Sequence, residues 1–403
     1  METVTIHNEI LPKGWNVKKL GDLSDITTGS KDVNEGNPKG QYPFFTCSRD
    51  VHASDSYSFD TEAILVAGNG VVGETKYYKG KFEAYQRTYV LSNFKVNPLF
   101  LYFYLKGKLV AELHRHISGS TMPYIKRGDL EGIEVPVPLN NEQQTIATIL
   151  SKIQEAIENQ DKILQTTTEL KTTLMRKLFS EGLNDEPLKQ TEIGKIPKSW
   201  KVKTLKDVVD IVYGAQAAVA HQTDSSIGTP ILTNINITND GKIDTSTLRY
   251  YKIPEKKKER LTLKKGDILF NWRSGSKEHV GKTAIFDLDG KYTFASFILR
   301  FRVTDKTDSR FLYYFLQHLK ALKYFSQYRD QSSVNSVFNA SAATKIPIVL
   351  PELHEQVEIV EILSAVDAKI ENAKKLTSAK TDLFKSMLNN LISGETRVNN
   401  ITL

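Results

Sequence analysis

The sequence predicts an α+β protein: two β-rich globular domains separated by two long helices that pair antiparallel as a coiled coil, with the two halves related by a pseudo-twofold internal repeat. Two alignments within the chain lead there. Leu11–Gly29, LPKGWNVKKLGDLSDITTG, matches Ile196–Gly214, IPKSWKVKTLKDVVDIVYG, without gaps and with ten identities in nineteen positions. Pro138–Ser180 matches Pro351–Ser393, so that Glu142 and Gln143 fall on Glu355 and Gln356, and Ile157, Glu158 and Asn159 on Ile370, Glu371 and Asn372. The offset between copies grows from 185 to 213 residues, so the enclosed segments, about 30–137 and 215–350, differ by 28 residues and share little sequence. A duplicated frame therefore carries two divergent inserts.

In chain order, the pattern gives a first β-rich domain over residues 1–139, a first long helix over 140–183, a second β-rich domain over 184–352, and a second long helix with a tail over 353–403. Both domains hold short β-like runs, Ala63–Ala67, Tyr89–Phe94, Asp267–Phe270 and Phe297–Val303, punctuated by turns at Gly73, Gly80, Gly281 and Gly290. Each also contains one aromatic helix, Pro98–Arg115 or Ser309–Tyr328, whose Tyr, Phe and Leu side chains suit a core.

The frame helices follow from periodicity. Ile146, Ile149, Leu150, Ile153, Ile157, Leu164, Leu170, Leu174 and Leu178 keep spacings near three and four without Pro or Gly, as do Ile359, Leu363, Val366, Ile370, Leu376, Leu383, Met387 and Leu391. At 1.5 Å per residue each helix is on the order of 60 Å long. A helix with one apolar stripe needs a mate, and its own duplicate is the obvious one. A pseudo-twofold axis between them makes a rod with the inserts at opposite ends.

Composition excludes several classes. The 403 residues are 40% hydrophobic and 25% charged, as in a soluble chain of more than one domain, and the net charge of +7 suits a polyanion. One cysteine, Cys47, excludes an internal disulfide and an all-cysteine metal site. The opening METVTIHNEI has no signal-peptide pattern and no run is long enough to span a bilayer, so the expected address is the cytoplasm, without a membrane partner.

Enzyme motifs fail one by one. Ile64–Gly73, ILVAGNGVVG, has the spacing GxGxxG, but the helix and distant acidic residue that a dinucleotide site needs do not follow it, so its glycines serve a tight loop at a sheet edge. Gly275–Thr283, GSKEHVGKT, has five residues between glycines where a phosphate loop needs four. Asn97–Phe100, NPLF, lacks the second proline of an adenine amino-methyltransferase motif, and His354–Glu358, HEQVE, lacks the second zinc-binding histidine. His114 and His116 stand without a Cys or an acidic cluster, so no metal site is expected.

The repeated frame, LPKGWNVKKLGDLSDITTG with GSTMPYIKRGDLEGIEVPVPLNNEQQTIATILSKIQEAI, resembles the specificity subunit of type I restriction-modification systems over nearly the whole chain. The second half departs from it at Asn339–Ala343, NASAA, where the first has KRGDL. The resemblance implies two target recognition domains on double-stranded DNA and no catalysis or cofactor in this chain. It further implies two modification subunits that methylate adenine with S-adenosylmethionine, and restriction subunits whose motor uses ATP and Mg. Two unlike inserts on one spacer are then expected to read two unlike half-sites, with helix length setting the gap. The alternatives are a DNA-binding adaptor for a different methyltransferase and a protein scaffold that binds no DNA.

Base reading calls for side chains that pair donors and acceptors, and phosphate contacts for Ser, Thr and Lys. In the first insert the candidates are Ser30, Lys31, Thr46, Ser48, Arg49, Asn69, Gln86, Arg87, Ser118, Ser120 and Lys126. In the second they are Gln216, Thr233, Asn234, Asn236, Asn271, Arg273, Ser274, Lys282, Ser332 and Ser333, with Trp272 beside them. Each competes with the plainer role of a solvated or turn-capping residue. Trp15 and Trp200 read as anchors inside the frame, and Glu255–Arg260, EKKKER, as a solvated face or at best a phosphate contact.

Overall fold

The computed structural model describes residues 5–6, 9–113, 123–216, 222–273, 279–325 and 340–398. The chain divides into two compact units, residues 1–162 with 373–403, and residues 163–372. Each unit thus combines a β-rich domain with stretches of both long helices.

Those helices run Asn140–Glu181 and Leu353–Ser393. Both stop at a glycine in the left-handed conformation, Gly182 with φ +68° and Gly394 with φ +77°, which satisfies the helix end where other residues would strain. In the first unit, Thr377 Oγ1 donates to Asp161 Oδ1 at 3.3 Å and Lys380 Nζ to Ala156 O at 3.2 Å. Phe384, Leu388 and Ile392 share a core with Ile146 and Leu150. Partners descend on one helix as they ascend on the other, so the pairing is antiparallel. The second unit repeats it, with Lys171 Nζ 2.7 Å from Asp367 Oδ1 and with Met175, Leu178 and Phe179 in one core with Ile359, Val360 and Leu363. The apolar stripe is not buried throughout: Leu170, Leu376 and Leu383 are each 50% exposed, because a helix pair covers only a narrow seam.

In the first unit, frame strand Asn16–Lys19 pairs antiparallel with Glu134–Val137. The insert folds into a six-stranded sheet in the order Asp25–Thr28, Thr88–Ser92, Phe59–Ala67, Thr75–Ala84, Tyr42–Phe45, His52–Ser54. Tyr42–Phe45 runs parallel to its long neighbour and the other pairs are antiparallel. The helix Pro98–Leu113 packs on this sheet through Phe100, Leu101, Phe103 and Leu105. The glycines of GNGVVG form the hairpin loop between Phe59–Ala67 and Thr75–Ala84, with Gly73 N donating to Ala67 O at 2.9 Å. These are interior strands, so the loop belongs to the middle of the sheet and not its edge.

The second unit has the same frame pair, Lys201–Thr204 with Pro347–Leu350. Its insert forms two four-stranded sheets, Val209–Tyr213, Ile298–Val303, Ile268–Asn271, Thr283–Ile285 and Gln222–Thr223, Arg249–Tyr251, Thr229–Leu232, Thr293–Phe294. The first of these repeats the order of the leading four strands in the other unit. One strand differs. Gly80, expected to turn the chain, sits within Thr75–Ala84 opposite Thr61 with φ +130°, so that strand continues. In the second unit the corresponding strand does break, ending at Ile285 and resuming at Thr293 after Gly290, φ +102°. The aromatic helix here spans Ser309–Ala321, shorter than expected, because Lys323 adopts φ +60° just beyond it.

Candidate nucleic-acid interface

The frame anchors each domain through a buried tryptophan and the repeated Glu–Gln pair. Trp15 Nε1 donates to Glu142 Oε2 at 3.0 Å, and Arg397 grips the same carboxylate with Nε at 2.8 Å and Nη2 at 3.0 Å. Burial opposes ionisation of Glu142, but the hydrogen bonds from Arg397 and Trp15 outweigh it and hold the carboxyl below its ordinary value. Gln143 Nε2 donates to Pro138 O at 2.8 Å, and its Oε1 accepts from Asn97 N at 2.8 Å, just ahead of the aromatic helix. The second unit repeats the device. Trp200 Nε1 and Leu183 N both donate to Glu355 at 3.1 Å, while Gln356 bonds Pro351 O at 3.0 Å and accepts from Asp308 N at 2.8 Å. One turn of each long helix thereby fixes both the frame strand and the aromatic helix.

In the first domain the structure gathers several candidates at one end of the sheet. Gly68 N donates to Arg87 O at 2.9 Å, Val71 N to Cys47 O at 3.3 Å, Ile125 N to Gly68 O at 3.0 Å and Gln86 N to Lys31 O at 2.9 Å. These bonds tie together the segments that carry Ser30, Arg49, Asn69, Gln86, Arg87 and Lys126. All of these side chains are exposed except half-buried Asn69. Lys126 precedes the short helix Arg127–Glu131, where its backbone N donates to Asp129 Oδ2 at 2.6 Å. Others are already engaged. Lys31 Nζ lies 3.6 Å from the buried Glu83 carboxylate and donates to Ser56 Oγ at 2.6 Å. Thr46 is buried with its Oγ1 3.1 Å from Ser48 Oγ, which also donates to Asp50 O at 2.9 Å, so the two shape a turn.

The second domain separates its candidates more sharply. Asn236 is buried, accepts from Thr233 N at 2.9 Å and Thr233 Oγ1 at 2.8 Å, and donates to Asp244 O and Thr247 O at 2.8 and 2.9 Å. Its hydrogen-bonding capacity is spent on the loop that it organises. Lys282 points inward as well, donating to Ile237 O at 2.6 Å and Asn234 O at 3.2 Å, and burial pushes its ammonium pKa down. Asn271 is fully buried and donates to His279 O at 2.9 Å. These are loop-building residues, as are Thr233 and, through its carbonyl, Asn234. Ser118, Ser120, Ser274, Ser332 and Ser333 lie outside the described residues, as do His114 and His116.

Gln216 and Arg273, by contrast, line an open cleft of about 1050 Å³ where the two sheets meet. Tyr213, Trp272 and Phe297 supply its aromatic surface, and Lys252, Lys257 and Arg260 its cationic one. Several cations elsewhere in this domain are paired, Arg302 with Asp267 at 2.6 Å, Lys265 with Asp289 at 2.7 Å and Arg300 with Asp210. The four cations of the cleft have no acidic partner among the described residues. Sequence reasoning passed over Lys252, and it set Lys257 and Arg260 aside as part of a charged run whose spacing does not reveal the cleft.

The unassigned motifs resolve structurally. Asn97 Oδ1 accepts from Phe100 N at 3.0 Å and caps the aromatic helix, and HEQVE carries the Glu355–Gln356 pair. Among the described residues there is no cluster of His, Cys, Asp or Glu suited to a metal ion, and no helix is long and apolar enough to cross a membrane.

Comparison with known proteins matches residues 12–167 and 197–380 to the type I restriction modification DNA specificity domain. The chain is 27% identical over 415 residues to the type I restriction enzyme EcoDI specificity subunit of Escherichia coli, covering 97% of this chain and 87% of that one. It is 27% identical over 420 residues to the MjaVIII specificity subunit of Methanocaldococcus jannaschii, covering 98% and 96%. Its fold resembles that of the crystallised type I S subunit from M. genitalium, with a TM-score of 0.64, 18% identity, and coverage of 97% of this chain and 99% of that one.

Proposed function

Since the chain belongs to the type I restriction-modification DNA specificity family, we propose that it is the sequence-specific DNA-binding subunit of such a complex, reading a bipartite asymmetric site with one half-site per domain. The observation that carries this reading is the duplicated anchor. Trp15–Glu142–Gln143 and Trp200–Glu355–Gln356 hold the two domains by the same bonds, yet the domains differ in sheet construction and surface. Equal mounting with unequal surfaces suits two readers of different sequence.

The recognising surfaces are the converged loops of the first domain, bearing Arg49, Asn69, Arg87 and Lys126, and the cleft of the second, bearing Gln216 and Arg273. Unpaired cations contact phosphates and set position, while side chains with paired donors read base edges. The chain supplies recognition and assembly and performs no catalysis. Two modification subunits bring S-adenosylmethionine and restriction subunits bring ATP and Mg, and the complex works in the cytoplasm.

Single-molecule sequencing of adenine methylation in cells carrying this chain and its neighbouring methyltransferase tests the proposal. A bipartite methylated motif that disappears when the chain is removed is the expected result. A methylome indifferent to the chain would overturn it.

A further inference from the structure

Arg273 is held in place before any ligand arrives. Trp272 N donates to Phe297 O at 3.2 Å and Trp272 Nε1 to Ser296 O at 2.8 Å, which fastens the end of strand Ile268–Asn271 to the segment before Ile298–Val303. Tyr213 packs edge-on against Trp272 with centroids 5.6 Å apart and an interplanar angle of 77°. On this support the guanidinium carbon of Arg273 lies 5.4 Å from the centroid of Phe297, a ring left 43% exposed. The contact orients the guanidinium without using its N–H groups.

From this geometry we infer that Arg273, oriented by Phe297, is the specificity-determining residue of the second domain and reads a guanine of its half-site. The inference rests on the DNA-reading function proposed above and names its chemistry. A guanidinium has five donors and no acceptor, and guanine alone shows two adjacent acceptors, N7 and O6, in the major groove. Adenine places a donor beside N7 and opposes a second N–H. A phosphate contact would need only charge, which Lys252, Lys257 and Arg260 already supply in the same cleft. Holding the planar fork against a ring reduces the freedom lost when both bonds form. Phe297 is a positioning residue and makes no base contact.

The test is the methylated motif of the chain with its neighbouring methyltransferase, compared for wild type, Arg273→Lys and Arg273→Gln. Exchange of residues 30–137 identifies the second half-site as the one left unaltered. One guanine of that half-site should become degenerate in both variants, while its other positions and the whole first half-site persist. An unchanged base preference at every position, or uniform weakening across the half-site, would overturn the inference. Phe297→Leu should relax the same position partially and Phe297→Tyr restore it.

Should the variants fail to assemble, the wild-type complex decides the matter. Duplexes carrying 7-deazaguanine, which lacks the N7 acceptor, should bind about tenfold or more weakly when one second-half guanine is replaced. Equal affinity at every guanine sinks the inference. Failure of the DNA-reading function would look different, since the wild-type chain would then yield no motif and no specific binding.

Discussion

Trp200 Nε1 donates to Glu355 Oε2 at 3.1 Å across 155 residues of sequence, both side chains being buried. The bond closes the second unit by joining the start of its recognition domain to the first turn of the helix that follows it. Trp200→Phe removes the donor and leaves the carboxylate to Leu183 N alone. The expected loss is about 1–3 kcal/mol, read as a lower denaturant midpoint at unchanged slope.

The equivalent bond in the first unit carries a salt bridge as well. Glu142→Gln deletes the charge that Arg397 meets at 2.8 Å, and a larger cost of roughly 2–4 kcal/mol is expected. Chemical denaturation of the two variants side by side checks the order, and equal losses would mean that Arg397 adds nothing.

Acid should weaken the protein in two stages. His318, buried against the Phe179 and Phe315 rings, has its pKa lowered to about 4 from 6.5, first by burial and then by the charge of Arg176. A depressed folded pKa means that its contribution is whole above 6.5, declines as pH falls and is gone below about 4. Glu142, held below 4.5, adds a loss that begins near 4.5 and continues as pH drops through its lowered value. His318→Leu should flatten the upper stage, and Glu142→Gln the lower, in unfolding free energies measured from pH 7 to 3.

Asn236 separates architecture from reading. Asn236→Ala leaves two carbonyls and two Thr233 donors without their partner, at an expected cost of about 2 kcal/mol. The methylated motif should keep every base preference, and a changed base would mean that Asn236 reaches DNA after all.

In the first domain, Arg49→Ala and Arg87→Ala should weaken binding across sequences. If both touch phosphates, each should reduce the slope of log affinity against log salt by about 1. A titration from low to moderate salt measures it, and a slope unmoved by both would remove these arginines from the interface.

The frame was legible because its residues do one thing twice. The repeats, the long helices and the anchoring role of Trp15 and Trp200 followed from identities and spacing that the fold preserves. The interface was less legible because Asn, Thr and Lys look alike in sequence whether they face solvent or close a turn. Asn236 and Lys282 turned inward, while Lys257 and Arg260, members of a charged run, came to line a cleft formed by strands distant in sequence. Gly80 shows the same limit for backbone: a glycine marks a permissive position, and only pairing with Thr61 reveals that the strand runs through it.

The division of the long helices between units also orders the assembly of the chain on the ribosome. The first unit includes residues 373–403, and Phe103 and Gly107 of its aromatic helix pack against Phe384 and Ile392. The second unit, by contrast, is drawn from one continuous stretch, residues 163–372. The domain translated first is thus completed last, and a chain cut short before residue 373 displays a bare apolar helix face for quality control to find.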